Sequence, residues 1–158
     1  MLVGIFSDTH DHLERINVAL KKFKELGVEV LLHAGDVVSP FAAKAIKQQW
    51  PGAIHIVYGN NDGERKGLQR VFAQIADGPV LVECGGRRIS LDHYPPENER
   101  EPAEGAEVVV FGHTHEKLVE TRDGVLYINP GECCGWLTGQ ATIAVLDTDS
   151  LEVRLLEL

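Results

Sequence analysis

Residues 2–36 read LVGIFSDTHDHLERINVALKKFKELGVEVLLHAGD, and the fold follows from where this stretch changes its hydrophobic period. LVGIF (2–6) is a short apolar run, β-branched at Val3 and Ile5, so it reads as a buried strand. Leu13, Ile16, Leu20 and Phe23 then recur at helical spacing. Asp11, with Glu14 three residues later, has the form of a capping box, and Gly27 closes the helix. VEVLLHAGD (28–36) is apolar again and ends in a polar tip. The stretch is a strand–helix–strand unit with chemistry-bearing residues after each strand.

The pattern continues outward. Ser39-Pro40 starts a second helix, with serine as cap and proline in the first turn, and Pro51-Gly52 ends it. AIHIVYGNND (53–62) is a third strand with a polar tip, and Leu68, Val71, Phe72 and Ile75 mark a third helix. Alternation of this kind predicts a parallel sheet covered by helices. The second half differs. VLVECGGRRISLDHY (80–94) reads as a hairpin around Gly85-Gly86, EVVVFG (107–112) as a buried strand, and KLVETRDGVLYIN (117–129) as a hairpin turning at Asp123-Gly124. ATIAVLD and LEVRLLEL form a closing pair. The expectation is one α/β domain over residues 1–158, with two sheets, the second mostly antiparallel, and helices outside.

The chain has 158 residues, 44% hydrophobic and 25% charged, in the range of ordinary globular domains. No apolar run approaches the roughly 18–20 residues that span a bilayer, and the start lacks a basic leader, so a cytoplasmic protein without a membrane segment is expected. The formal net charge of −9 argues against a protein held on nucleic acid by phosphate contacts. It leaves room for a small phosphorylated substrate, because bound metal ions reverse the local sign. Cys84, Cys133 and Cys134 are an odd count without metal-binding spacing, and read as reduced, partly buried thiols.

The strand ends carry the chemistry. The first delivers Asp8 and His10, the second Asp36 after Gly35, the third Asn60 and Asn61, a later one His93, and GHTHE ends with His113 and His115. In open α/β sheets, ligands sit outside the carboxyl ends of the strands. Two carboxylates, four imidazoles and one carboxamide oxygen make seven donors. One tetrahedral ion needs four, so seven suit two ions sharing a carboxylate. The mixture of nitrogen and oxygen favours first-row ions such as Mn²⁺, Fe²⁺, Ni²⁺ or Zn²⁺. Such a pair clamps a phosphoryl group and generates hydroxide at neutral pH. Each residue also has a bland reading: Asp8 as a helix cap, Asp36 and the Asn60–Gly63 run as turn chemistry, His113 and His115 as a polar turn. Each is ordinary alone; their joint placement at strand ends is not.

The order D-x-H, G-D, G-N, H, G-H-x-H resembles the calcineurin-like metallophosphoesterases. SDTHDH, YGNNDGE, GHTHE and NPGE, as they stand here, are similar to the small bacterial and archaeal phosphodiesterase subgroup. The resemblance spans essentially the whole chain. It implies a four-layer αββα sandwich of two mixed sheets flanked by helices. It also implies that Asp8, His10 and His115 bind one ion, that Asn60, His93 and His113 bind the other, and that Asp36 bridges them. Manganese is the expected metal, with nickel, iron or zinc as alternatives. A hydroxide between the metals would attack phosphorus in line with the leaving group, with no covalent intermediate.

Three departures bear on the reading. The histidine that many relatives carry after the G-N asparagine is Asn61, which binds phosphate oxygen but is no useful acid, so aryl esters should be cleaved more readily than alkyl esters. The second acid of G-D-x-x-D is Ser39. Tyr94 replaces a usual glycine after His93, leaving Asp92 as an alternative ligand and Tyr94 as a shaper of the pocket. Arg65 is a candidate phosphate contact beside Asn61, against the default of a solvated helix face. His12 reads as a first-turn surface residue, His33 as a core or supporting histidine and His55 as structural. Trp136 reads as an exposed contact or pocket wall. No cap domain is visible, so an open site is expected. The competing function is a non-catalytic interaction scaffold, which one eukaryotic sorting-complex subunit of this family exemplifies. A nucleotidyltransferase is set aside because GHTH is not H-x-G-H. The hairpin edges leave a homo-oligomer open.

Overall fold

The computed structural model describes residues 1–96 and 100–158. Its elements, in chain order, are β1 (Leu2–Phe6), α1 (Leu13–Glu25), β2 (Val30–His33), α2 (Pro40–Gln49), β3 (Ala53–Ile56), α3 (Arg65–Val71), β4 (Val80–Cys84), β5 (Arg87–Leu91), β6 (Val108–Val110), β7 (Lys117–Arg122), β8 (Val125–Pro130), β9 (Thr142–Asp147) and β10 (Val153–Glu157). They form two five-stranded sheets, in the orders β10-β9-β1-β2-β3 and β4-β5-β6-β8-β7. The expected α/β sandwich of two mixed sheets with flanking helices is the fold found.

Strand β1 shows how the layers divide the apolar residues. Val3 and Ile5 point between the sheets, where they meet Ile89, Leu91, Val108, Val110 and Ile128. Phe6 points the other way, into a cluster with Ile16, Leu20 and Phe23 of α1 and Ala42, Ala43 and Ile46 of α2. A strand covered on both faces has no polar side, which is why LVGIF runs without alternation. On the far side of the second sheet, the Ala103 N–H donates to Ser90 Oγ at 2.9 Å, which places Ala103 over that face.

Several local expectations need correction. The capping box is not made: α1 starts at Leu13 with His12 as N-cap and no side-chain cap bond. Asp11 instead accepts from the N–H and hydroxyl of Ser39, at 2.9 and 2.7 Å. The helix tolerates this because a cap contributes only about 0.5–2 kcal/mol, whereas Ile16, Leu20 and Phe23, all fully buried, contribute about 1.5–3 kcal/mol each. The cap expected at Ser39 is present, its Oγ accepting from the Ala42 N–H at 3.2 Å. Helix α3 ends at Val71, so Phe72 and Ile75 lie beyond it, although both remain buried. The second sheet is not mostly antiparallel: β4–β5 and β7–β8 are antiparallel, β5–β6 and β6–β8 parallel. The hairpin turns fall where expected, with Gly85, Gly86, Asp123 and Gly124 all at positive φ. No described helix is long and apolar enough to cross a membrane.

Candidate metal centre

The strand tips break from β geometry as soon as the polar residues begin. Asp8, His10, Asp36, His113 and His115 all have φ between 38° and 67°. Such backbone costs a side-chain-bearing residue about 1–3 kcal/mol, so it persists only where surrounding contacts impose it. Those contacts join one tip to the next. The N–H groups of Asp8 and His10 donate to the carbonyls of Gly35 and Asp36, at 3.1 and 3.0 Å. Cys133 and Cys134 donate to the carbonyls of Ser7 and Asp8, and Gly112 to that of His93. Close packing also explains the glycines before the ligand candidates. A Cβ on Gly35, itself at φ +93°, would lie 2.6 Å from His93 Nδ1; one on Gly112 would lie 2.7 Å from Asp8 Oδ2.

The donors meet in one continuous cluster. His115 Nε2 stands 3.4 Å and His10 Nε2 3.9 Å from Asp8 Oδ1. Asp36 Oδ2 stands 3.4 Å from His10 Nε2 and 3.6 Å from His93 Nε2, between the two halves. Asn60 Oδ1 lies 2.9 Å from both His93 Nε2 and His113 Nδ1, which are 3.3 Å apart. Donors around one ion at about 2.1 Å are separated by roughly 3.0–3.4 Å, so these spacings suit shared coordination. Asp8, His10 and His115 are one group able to hold a metal ion, and Asp8, Asp36 and His93 another.

Supporting bonds aim the imidazoles. His93 is fully buried, and its Nδ1 donates to the Ala34 carbonyl at 2.8 Å. That leaves a lone pair on Nε2 facing the oxygen of Asn60, an arrangement that calls for a cation between the donors. His115 Nδ1 lies 2.8 Å from Glu132 Oε2 and donates to it, which likewise frees Nε2 toward Asp8. Asp8 Oδ1 and His10 Nε2 are buried without a hydrogen-bond partner among the described residues. Buried polar atoms are normally paired, so the donor set fits divalent ions. Burial raises the Asp8 carboxyl above its ordinary value, against the hydrogen bond from Ser7 and the nearby histidines. Burial also lowers His113.

The remaining candidates divide. Asn61 is exposed, and its side-chain amide donates to Asp36 Oδ2 at 2.7 Å. Asp92 turns away from the cluster: its carboxylate pairs with Arg100 at 3.1 Å and accepts the His93 N–H. Arg65 pairs with Asp77 at 2.8 Å and lies over the Tyr58 ring. His33, pushed down to about 3 by burial, is neutral; it accepts from the Gly35 N–H and donates to Thr9 Oγ1, which in turn bonds the Asp36 carbonyl. The three thiols are buried and unpaired with one another, and burial pushes Cys134 up to about 12.

Two supporting acids escaped the sequence reading. Asp62 accepts the N–H groups of Asp36, Val38 and Gly59, at 3.0, 2.6 and 2.7 Å, and so ties the second strand tip to the third. Glu132, from NPGE, is fully buried. Burial pushes its carboxyl up, but bonds from the Thr138 hydroxyl, His115 and the N–H groups of Thr138 and Leu137 outweigh this and hold it down to about 2. The motif was visible; its partner, seventeen residues away on another loop, was not.

Comparison with known proteins identifies the family. The family description "Calcineurin-like phosphoesterase superfamily domain" matches residues 1–151. A Methanocaldococcus jannaschii protein named a phosphodiesterase is 41% identical over 162 residues, covering 98% of this chain and 97% of its own. The Escherichia coli phosphodiesterase YfcE is 30% identical over 165 residues, covering 93% of this chain and 88% of its own. A solved structure described as a novel archaeal phosphodiesterase superposes with a TM-score of 0.88 at 39% identity, covering 100% of both chains. With that match along nearly its whole length, and with the strand-end donors gathered as the fold requires, the chain belongs to the calcineurin-like phosphoesterase superfamily.

Proposed function

We propose that the protein is a metal-dependent phosphodiesterase acting on small or activated phosphodiesters at a dinuclear site. The observation that carries this reading is the unbroken run of donors from His115 through Asp8, His10 and Asp36 to His93, Asn60 and His113, with neighbouring donor atoms 2.9–3.9 Å apart. Asp8, His10 and His115 would hold one ion, Asn60, His93 and His113 the second, and Asp36 both. Manganese is the first choice, with nickel, iron or zinc as alternatives. Two such ions supply Lewis acidity toward phosphoryl oxygens and a hydroxide nucleophile at neutral pH.

The chain's own residues do the rest. Glu132 and the Ala34 carbonyl hold His115 and His93 with their free nitrogens turned inward. The exposed Asn61 amide, beside Asp36, is placed to donate to a phosphate oxygen but brings no acidic proton for the leaving group. Departing groups must therefore be stable as anions, as aryl oxides are. Exposed Asn60, Asn61 and His113 open the cluster to solvent, which suits a small substrate. Single-domain organisation and a cytoplasmic location complete the reading.

The test is hydrolysis of bis(p-nitrophenyl) phosphate by metal-stripped protein before and after addition of Mn²⁺. Turnover that appears with the ion and disappears with a chelator is the expected result. No turnover with Mn²⁺, Ni²⁺ or Zn²⁺ would overturn the enzymatic reading in favour of a scaffold.

A further inference from the structure

We propose that Trp136 is the stacking platform for a planar aromatic ester group of the substrate, a specificity element built beside the first metal position. The inference rests on the phosphodiesterase reading above. The Trp136 side chain is 62% exposed, and neighbouring Leu137 is 76% exposed. Large apolar groups left in water on a fixed support are a signature of a contact surface. The support here is firm. The buried Glu132 carboxylate accepts the N–H groups of Leu137 and Thr138, at 3.0 and 2.5 Å, together with the Thr138 hydroxyl. Gly135, at φ +69°, makes the turn that lifts the indole out.

The direction of that turn names the occupant. The His115 and His10 rings stack with centroids 5.4 Å apart and planes 25° apart. The indole continues the series, 6.3 Å from His10 at 31° and 5.4 Å from His12 at 37°. Aromatic rings interact at centroid separations of about 4.5–7 Å. A phosphoryl group seated at His10 and His115 therefore carries its ester substituent within stacking reach of the indole. Tyr94 borders the other half of the cluster, but Arg100 already lies 4.1 Å over its ring. Trp136, exposed where Tyr94 is half-buried, is thus the more open of the two walls, and a flat aromatic group is what an indole selects.

The experiment compares binding of phenylphosphonate and methylphosphonate to the Mn²⁺-loaded protein by calorimetry. Neither ligand has an ester bond to hydrolyse, and they differ in the aromatic ring. The wild type should bind the phenyl compound roughly 3–10-fold more tightly. Trp136→Ala should erase that preference, whereas Trp136→Phe should keep most of it. Retention of the preference in Trp136→Ala, or its absence from the wild type, would overturn the platform while leaving the phosphodiesterase reading intact. Failure of the wild type to bind either phosphonate would also overturn the platform, while the phosphodiesterase reading stands or falls on turnover of bis(p-nitrophenyl) phosphate. A non-hydrolysable adenosine phosphonate separates two sources of the ring: Trp136-dependent binding tighter than that of phenylphosphonate names a nucleobase, and weaker binding a simple aryl group.

Discussion

Replacing Glu132 with glutamine should destabilise the metal-stripped protein by several kcal/mol, although the change is nearly isosteric. The carboxylate takes His115 Nδ1 at 2.8 Å and Cys134 Sγ at 3.2 Å on Oε2, and the Thr138 hydroxyl and N–H on Oε1. Glutamine keeps one acceptor oxygen and turns an NH₂ toward donors, so at least two bonds to a charged acceptor are lost. At about 1.5–3 kcal/mol each, the cost is about 3–6 kcal/mol. The depression of the carboxyl from 4.5 to about 2 gives about 3 kcal/mol by linkage, at the low end of the same range. For a chain of this size each kcal/mol shifts Tm by roughly 2–4 °C, so Glu132→Gln should melt roughly 6–24 °C below wild type at pH 7. The sign with pH follows from the depressed carboxyl. Its stabilisation is complete above the unfolded value of 4.5 and is lost as pH falls toward 2. The gap between wild type and variant should therefore narrow below pH 4.5. Thermal melts followed by circular dichroism between pH 7 and 3 measure both effects. A gap smaller than about 3 °C at pH 7, or one that does not narrow in acid, would refute the reasoning.

Asp36→Asn should reduce turnover of bis(p-nitrophenyl) phosphate by more than the roughly 10–100-fold that altered supporting residues cost, with the circular dichroism spectrum retained; unchanged turnover would remove Asp36 from the bridging role. Asn61→His should raise kcat for alkyl esters by up to about 10²–10⁴-fold and act little on nitrophenyl esters; steady-state kinetics on the two classes, with no selective gain, would show that position 61 is not aligned for proton transfer.

Much of the scaffold was legible because the signals for it are local. Apolar runs of three to five residues marked β1, β2 and β6, and Gly85-Gly86 and Asp123-Gly124 marked the β4–β5 and β7–β8 hairpins. Parallel pairing in the second sheet was not legible, since β5, β6 and β8 find one another across intervening segments. Asp11 misled for a related reason. Its spacing to Glu14 fits a cap, but competing donors on Ser39, the N–H and hydroxyl 28 residues away, take the carboxylate.

The candidate site divides in the same way. The donor types and their position after strands can be read from the linear chain, because apolar periodicity stops where Asp8, Asp36, Asn60 and His113 begin. Their aim cannot. Whether His93 or Asp92 turns inward depends on the Ala34 carbonyl taking His93 Nδ1 and on Arg100 drawing Asp92 away. The orientation of His115 depends on Glu132, and the outward indole of Trp136 on the same carboxylate. The sequence alone determined which residues of this protein could hold ions and where along the chain they fall. Tertiary structure decided which atoms meet, because imidazole orientation is set by through-space hydrogen bonds and by positive-φ backbone that only packed neighbours can impose.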